Sequence, residues 1–214
     1  MKIRDVMTTN VVTIPSSTSI NDAKRIMEAH RFQRLPVVDK GKLVGIVTAR
    51  RLESVSPSKA TSLTVWEVSY LLNTTSVREI MEKNVITVTP DMTAEEAVAL
   101  AQAHRVGTLV VVEDGHVTGI VTTNDFFYKI VNPVLGLGGP GTRIEVRNGA
   151  GSGKKMEEII AAINRLGLEI ITLHIEVLPE KTGKDLCVHV NSNDVTGLVT
   201  ELKSKGYEVE IRKR

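Results

Sequence analysis

The chain has 214 residues, with 27 Lys and Arg against 25 Asp and Glu, and the two signs stay balanced on either side of Gly141. That balance excludes a protein devoted to coating phosphate backbones, and aromatic residues at 3% are too few for a base-stacking surface, so no nucleic-acid partner is expected. The apolar runs are too short to span a bilayer, the N-terminus lacks the apolar core of a leader, and the lone Cys187 excludes an internal disulfide framework or a cysteine-cluster metal site; a cytoplasmic, membrane-free protein is expected.

In chain order, the pattern of residues 3 to 52 returns over residues 77 to 126 at a constant offset of 74, without a gap and with 17 of 50 positions identical. Each copy opens with a β-branched run, Val11–Ile14 or Val85–Val88, that reads as a strand ending near a proline. Ser19-Ile20-Asn21-Asp22 and Thr93-Ala94-Glu95-Glu96 then pair a hydroxyl cap with a carboxylate three residues on, a helix start. Ile20, Ala23, Ile26 and Met27 share one helical face, matched by Ala94, Ala97, Leu100 and Ala101. LPVVD and LVVVE, turns at Lys40-Gly41 and Asp114-Gly115, and LVGIVT and VTGIVT read as hairpins, followed by a second helix. Fifty residues bury a core poorly alone, so the two copies should pack together.

Between the copies, Leu63, Trp66, Tyr70 and Leu71 recur as on a short amphipathic helix, expected to cover an edge of the paired repeats. NPVLGLGGPG, from Asn132 to Gly141, reads as a hinge. Beyond it the periods give strand (142–148), helix (Met156 to Leu166), strand (171–177), strand (186–190), helix (195–202) and strand (207–211). This β-α-β-β-α-β order is the split-βαβ, ferredoxin-like plan.

The duplicated LPVVD-turn-LVGIVT stretch resembles the CBS domain, which occurs as a tandem pair forming one module. The tail, by its order and its position behind such a pair, resembles an ACT domain. Together they resemble regulatory proteins of the AcuB type, assigned to acetoin utilisation. The resemblance implies an α/β (α+β) chain: CBS repeat 1 over 1–54, a linker with a short helix over 55–73, CBS repeat 2 over 74–131, a hinge over 132–141 and an ACT-like domain over 142–214.

It also implies adenosine-containing ligands (AMP, ADP, ATP or S-adenosylmethionine) in a cleft between repeats, as regulatory ligands rather than cofactors. The family motif is Gly-apolar-apolar-Ser/Thr-x-x-Asp, whose acceptor-only carboxylate suits two ribose hydroxyls. Gly119-Ile120-Val121-Thr122-Thr123-Asn124-Asp125 matches it, whereas the first copy ends in Arg51, which cannot accept a hydrogen bond. One adenosine site is therefore expected, built from Thr122, Asn124 and Asp125 with Gly107 and Thr108, and lined by Thr13 and Ile14 of the other copy. Arg34 stands where the family often contacts phosphate, and Arg51 is a second phosphate candidate. The bland reading of Asp125 is a helix N-cap. Arg31 and Arg105 read as solvated helix ends.

The ACT resemblance implies an effector loop at Asn148, Gly149, Ala150, Gly151 and Ser152, although Asn148 stands where the family often has an acid. GAGSGKK fails the P-loop spacing, because Asn148 and Lys155 occupy the required Gly and Ser/Thr positions. No metal is expected: His30 and His104 lack partners at ligand spacing, and His174, His189 and Cys187 read as an exposed polar sheet face or a dimer contact. No nucleophile-base-acid set stands out, so the expectation is a non-catalytic regulator and homodimer, with an unidentified partner enzyme. An adaptor that regulates such a partner without binding nucleotide is the alternative.

Overall fold

The computed structural model describes residues 1–55, 63–177 and 183–212, which divide into two units, Met1–Phe126 and Phe127–Arg214. In the first unit each copy contributes a turn of helix, a longer helix and a hairpin. Copy one holds α1 (Ile3–Val6), α2 (Ile20–His30), β1 (Arg34–Asp39), β2 (Lys42–Thr48) and α3 (Ala49–Ser54), followed by α4 (Val65–Thr74). Copy two holds a 3₁₀ turn (Val77–Glu79), β3 (Thr87–Val88), α5 (Ala94–His104), β4 (Thr108–Glu113), β5 (His116–Thr122) and α6 (Thr123–Phe126). The caps read from the sequence are present: Ser19 accepts from the Asp22 amide and Thr93 from the Glu96 amide. Both hairpin turns place a non-glycine residue at positive φ before glycine, Lys40-Gly41 and Asp114-Gly115, the type I′ signature.

The repeats exchange their N-terminal segments. The Ile3 amide donates to Met92 O and the Val77 amide to Thr18 O, positions related by the offset of 74. Thr8 pairs with Ile120 and Glu82 with Ile46 in the same reciprocal way. Val77 and Ile80, from the second copy, therefore lie in the core of the first, with Ile20, Ala23, Met27, Leu35 and Leu52. Burying side chains of this size stabilises by about 1.5–3 kcal/mol each. The same exchange lays Met81 on Gly45 and Met7 on Gly119. A Cβ on Gly45 would stand 2.6 Å from Met81 Sδ and 3.0 Å from the Glu82 carbonyl, so only a residue without a side chain admits the partner segment.

Two expectations change. Residues 87–88 form a strand parallel to β4, but 11–14 is reduced to one bridge, Ile14 to Val37. The reason is Pro36: its counterpart Val110 donates its amide to Ile86 O, and proline has no amide to offer the equivalent carbonyl of Val12. The linker helix forms, but with the opposite face inward. Leu72 packs on the core of the first copy, while Trp66 (86% exposed) and Tyr70 (69%) point out, with Leu63 and Leu71 also exposed.

The second unit has a helical stretch from Phe127 that includes α7 (Asn132–Val134), then β6 (Thr142–Val146), α8 (Gly153–Arg165), β7 (Ile170–Glu176), β8 (Asp185–Val190), α9 (Thr196–Ser204) and β9 (Val209–Arg212). The four strands pair antiparallel in the order β7-β8-β6-β9. Ile144, Val146, Leu186, Val188 and Val190 face Ile159, Ile163, Leu198 and Leu202 in one core. A register shift in β7 falls between Ile170 and Thr172, at Ile171, which is exposed; Leu173 packs on the core, and Ile175, further along this edge strand, is also exposed. No described helix is long and apolar enough to cross a membrane.

A polar latch reinforces the exchange. Ser16, buried, donates its amide (2.9 Å) and hydroxyl (2.6 Å) to the Asp39 carboxylate and accepts from Arg78 of the other copy at 2.8 Å. The two Ser16 bonds, hydroxyl first, hold the Asp39 carboxyl below its ordinary value, with Arg78 adding to the effect. A depressed carboxyl contributes stability above its unfolded pKa and loses it as pH falls through the folded value. Ser16→Ala is therefore expected to lower stability at neutral pH and to narrow that difference below about pH 4, read by urea unfolding across pH. Gly45→Leu is expected to destabilise the first unit by about 1–3 kcal/mol, read as a shifted urea midpoint in circular dichroism.

Candidate functional site: a cleft between the repeats

The exchange builds a cleft of about 440 Å³ lined by Thr8, Arg31, Phe32, Gln33 and Arg34 of the first copy and Gly107, Ile120, Thr122, Thr123, Asn124 and Asp125 of the second. Its floor follows from local rules. Strand β5 ends at Thr122, whose hydroxyl caps α6 by accepting from the Asp125 amide at 3.4 Å. Asp125 Oδ2 in return accepts the Thr122 amide at 2.9 Å and its hydroxyl at 2.7 Å. This is a capping box in which Asp125 is the returning partner and Thr122 the cap. Asp125 Oδ1 accepts from Thr8 of the other copy at 3.4 Å. The clamp on Oδ2 fixes the side chain so that its second oxygen is presented beside the exchanged segment.

The rim is cationic. Arg31 ends α2 in the left-handed conformation, φ 56°, and Arg34 opens β1. A Cβ on Gly107 would lie in ordinary contact with the Arg34 guanidinium, at 3.6 Å, so Arg34 of the first copy reaches the Gly107 side of the cleft. No ion pair among the described residues engages either arginine. Two guanidinium groups against one carboxylate leave the cleft with a net positive charge, suited to an anion.

Of the expected site residues, Gly107, Thr122, Asn124, Asp125 and Arg34 line this cleft. Thr13, Ile14 and Thr108 are not among its lining residues; Ile14 is in the core, and Thr8 supplies the contact from the first copy. The duplicated Met7 and Met81 marked the segment, but only the exchange carries Thr8 to Asp125. Arg31, Phe32, Gln33, Thr123 and Ile120 also line the cleft, and of these Arg31 had read as a solvated helix end. His30 stacks on Phe32, with ring centroids 5.2 Å apart, which accounts for it without a metal.

The mirror crevice differs. Thr48 caps α3 by accepting from the Arg51 amide at 3.2 Å, but Arg51 returns no bond to the cap. Its guanidinium instead donates Nε–H to Ile80 O of the other copy at 3.3 Å. Arg51 is thus tied across the crevice where Asp125 offers an acceptor in the other.

In the second unit, Asn148 sits at φ 51° and the expected loop is folded onto the sheet. The amides of Asn148, Gly149, Ala150 and Gly151 donate to Asp185 Oδ1, Val146 O, Lys184 O and Asn148 O. Ser152 caps α8 through the Lys155 amide. Asp185, nearly buried, brings to Asn148 the acid that the local sequence lacks. His174, His189 and Cys187 do share one sheet face, but that face is covered rather than exposed: Cys187, His189 and Glu145 are all buried.

Comparison with known proteins identifies the first unit's family. The model of the CBS domain matches residues 3–56 and 77–132, more than half of the chain, which therefore belongs to the CBS-domain family. An inosine-5'-monophosphate dehydrogenase of Korarchaeum cryptofilum is 35% identical over 125 residues, 58% of this chain but 23% of that protein. The chain thus spans about a quarter of the length of that curated relative. Among solved structures, a putative acetoin utilization protein (AcuB) from Vibrio cholerae aligns with a TM-score of 0.51 at 33% identity, covering 62% of this chain and 91% of that one. The CBS domain pair of protein MJ0100, in complex with 5'-methylthioadenosine and S-adenosyl-L-methionine, aligns with a TM-score of 0.51 at 28% identity, covering 62% and 97%.

Proposed function

We propose that the chain is a non-catalytic regulator that binds one adenosine-containing ligand in the cleft between its repeats. The observation that carries this reading is Asp125, clamped by Thr122 on one oxygen and set with the other beside Thr8 in a cleft rimmed by Arg31 and Arg34. The carboxylate suits a ribose diol, and Arg34 with Arg31 suits a 5'-phosphate. The MJ0100 pair, a relative in fold and sequence, is described in complex with two adenosine compounds, which supports the nucleoside half of the assignment. The positive rim favours phosphorylated adenosine over the cationic S-adenosylmethionine.

Binding shifts the repeat pair toward whichever form holds the ligand better. The β-α-β-β-α-β second unit supports its reading as an ACT-like domain that dimerises or acts as effector, in a cytoplasmic homodimer acting on a partner enzyme in a pathway such as acetoin utilisation. The engaged amides of 148–151 make that loop a poor receptor for a free amino acid. The tie from Arg51 to Ile80 favours a second reading for the mirror crevice, in which it is a structural joint, as in an adaptor that holds a partner without nucleotide.

Titration calorimetry with AMP, ATP, 5'-methylthioadenosine and S-adenosylmethionine separates these readings: one ligand per chain is expected, and silence from all four with folded protein leaves the adaptor. Asp125→Ala is expected to weaken every adenosine ligand on the order of 10- to 100-fold, whereas Arg34→Ala weakens AMP about 10-fold and spares 5'-methylthioadenosine. Arg51→Asp restores the motif in the mirror crevice, and the expected stoichiometry rises from one to two. A stoichiometry that stays at one shows that Arg51 is not what closes the second site.

A further inference from the structure

The covered face of the second unit's sheet holds donors that the cleft does not use. His174 and Cys187 are directly opposite each other on β7 and β8, and Glu176 follows His174 by two residues on the same face. Their donor atoms all lie within 4.8 Å of one another, and His174 Nε2 is 3.5 Å from Glu176 Oε1. His174 Nδ1 is buried without a hydrogen-bond partner, and Nε2, also buried, has only the long contact to Glu176. A buried imidazole without a hydrogen bond is costly, and its two nitrogens are the commonest metal ligands in proteins. We propose that His174, Glu176 and Cys187 bind a divalent transition-metal ion of the zinc class on this sheet face.

The donor set selects the ion. Thiolate and imidazole favour zinc-like ions over magnesium or calcium, and one thiolate with one carboxylate neutralises a divalent charge. Three protein ligands leave a fourth position of a tetrahedral ion open. Bonds of about 2.0–2.3 Å need donors roughly 3.5 Å apart, so a small side-chain rotation closes the set on strands already fixed by their pairing. Burial pushes the Cys187 thiol up to about 11, and an ion bound here takes the place of its proton.

One group competes. Arg143 donates to Glu176 at 2.5 Å and to Cys187 Sγ at 3.5 Å, and so fills the role of cation in the metal-free protein. Glu145, opposite Cys187 on β6 and bonded to Arg212 at 3.1 Å, is the carboxylate beside which Arg143 can rest once an ion is bound. The other polar groups of this face are Thr172 and His189, opposite each other, Asp185, which is held by Asn148, and Glu210, opposite Glu145 on β9 and paired with Arg147 and Arg212.

Cobalt titration of the reduced, tag-free full chain tests the site. Because Cys187 is the single cysteine, a near-ultraviolet thiolate-to-cobalt charge-transfer band can arise only there. One equivalent of Co²⁺ is expected to produce the band, and Zn²⁺ to displace it. Cys187→Ser is expected to abolish the band, and His174→Ala or Glu176→Gln to weaken Co²⁺ binding at least about 10-fold. Arg143→Gln is expected to tighten binding on the order of 10-fold, because it removes the competing cation. Absence of the band in the wild-type protein and in Arg143→Gln overturns the proposal. So does a band that survives unchanged in folded His174→Ala and Glu176→Gln.

Discussion

The first unit depends on one reciprocal contact: each repeat lays its N-terminal segment on the other, and a methionine of one closes over a glycine of its partner. Met81 on Gly45 and Met7 on Gly119 are the same contact seen twice, related by the offset of the duplication. The backbone pairs Thr8–Ile120 and Ile46–Glu82 flank it, and Val77 and Ile80 complete a core to which they are not adjacent in sequence. The first repeat is not a finished domain, because part of its core belongs to the other, and Ile3 and Val6, the counterparts of Val77 and Ile80, are buried likewise. Duplication alone supplies two half-cores; exchange makes them one folding unit.

That exchange also makes the cleft. A helix cap after β5 is a local device, and on its own it would give only a solvated carboxylate at a helix start. The incoming Thr8 and the α2–β1 corner of the other repeat convert it into an acceptor facing a cationic wall. The same geometry with Arg51 in place of the aspartate yields a joint, because a guanidinium has donors only and finds a carbonyl across the crevice. At this position the second copy presents a carboxylate and the first a guanidinium tied to the other copy's backbone.

The second unit resolves its polar residues differently. In an open antiparallel sheet, polar side chains alternate toward water, yet here the polar face of β6, β7 and β8 is covered and the apolar Ile171 and Ile175 are exposed at the edge. The glycine at 136 lies against the His189 ring, where a side chain could not fit, so the segment leading to β6 helps to cover this face. Charge is then balanced internally, Arg143 with Glu176 and Arg212 with Glu145.

The sequence by itself determined the repeat, the paired hairpins and their turns, the long helices and their caps, the β-α-β-β-α-β order that follows residue 141, and the position of Asp125. These are local: they depend on period, on cap chemistry and on positive φ, all of which a short window contains. It did not determine which segment of the first copy meets Asp125: Thr13 and Ile14 were expected there, and Thr8 makes the contact. Nor did it fix the inward face of α4, where Trp66 and Tyr70 were expected to pack and Leu72 does, or the coverage of the sheet bearing Cys187. Each of these rests on which distant segment arrives to bury a surface. Apolar periodicity shows that a face wants burial; only the tertiary structure decides what buries it.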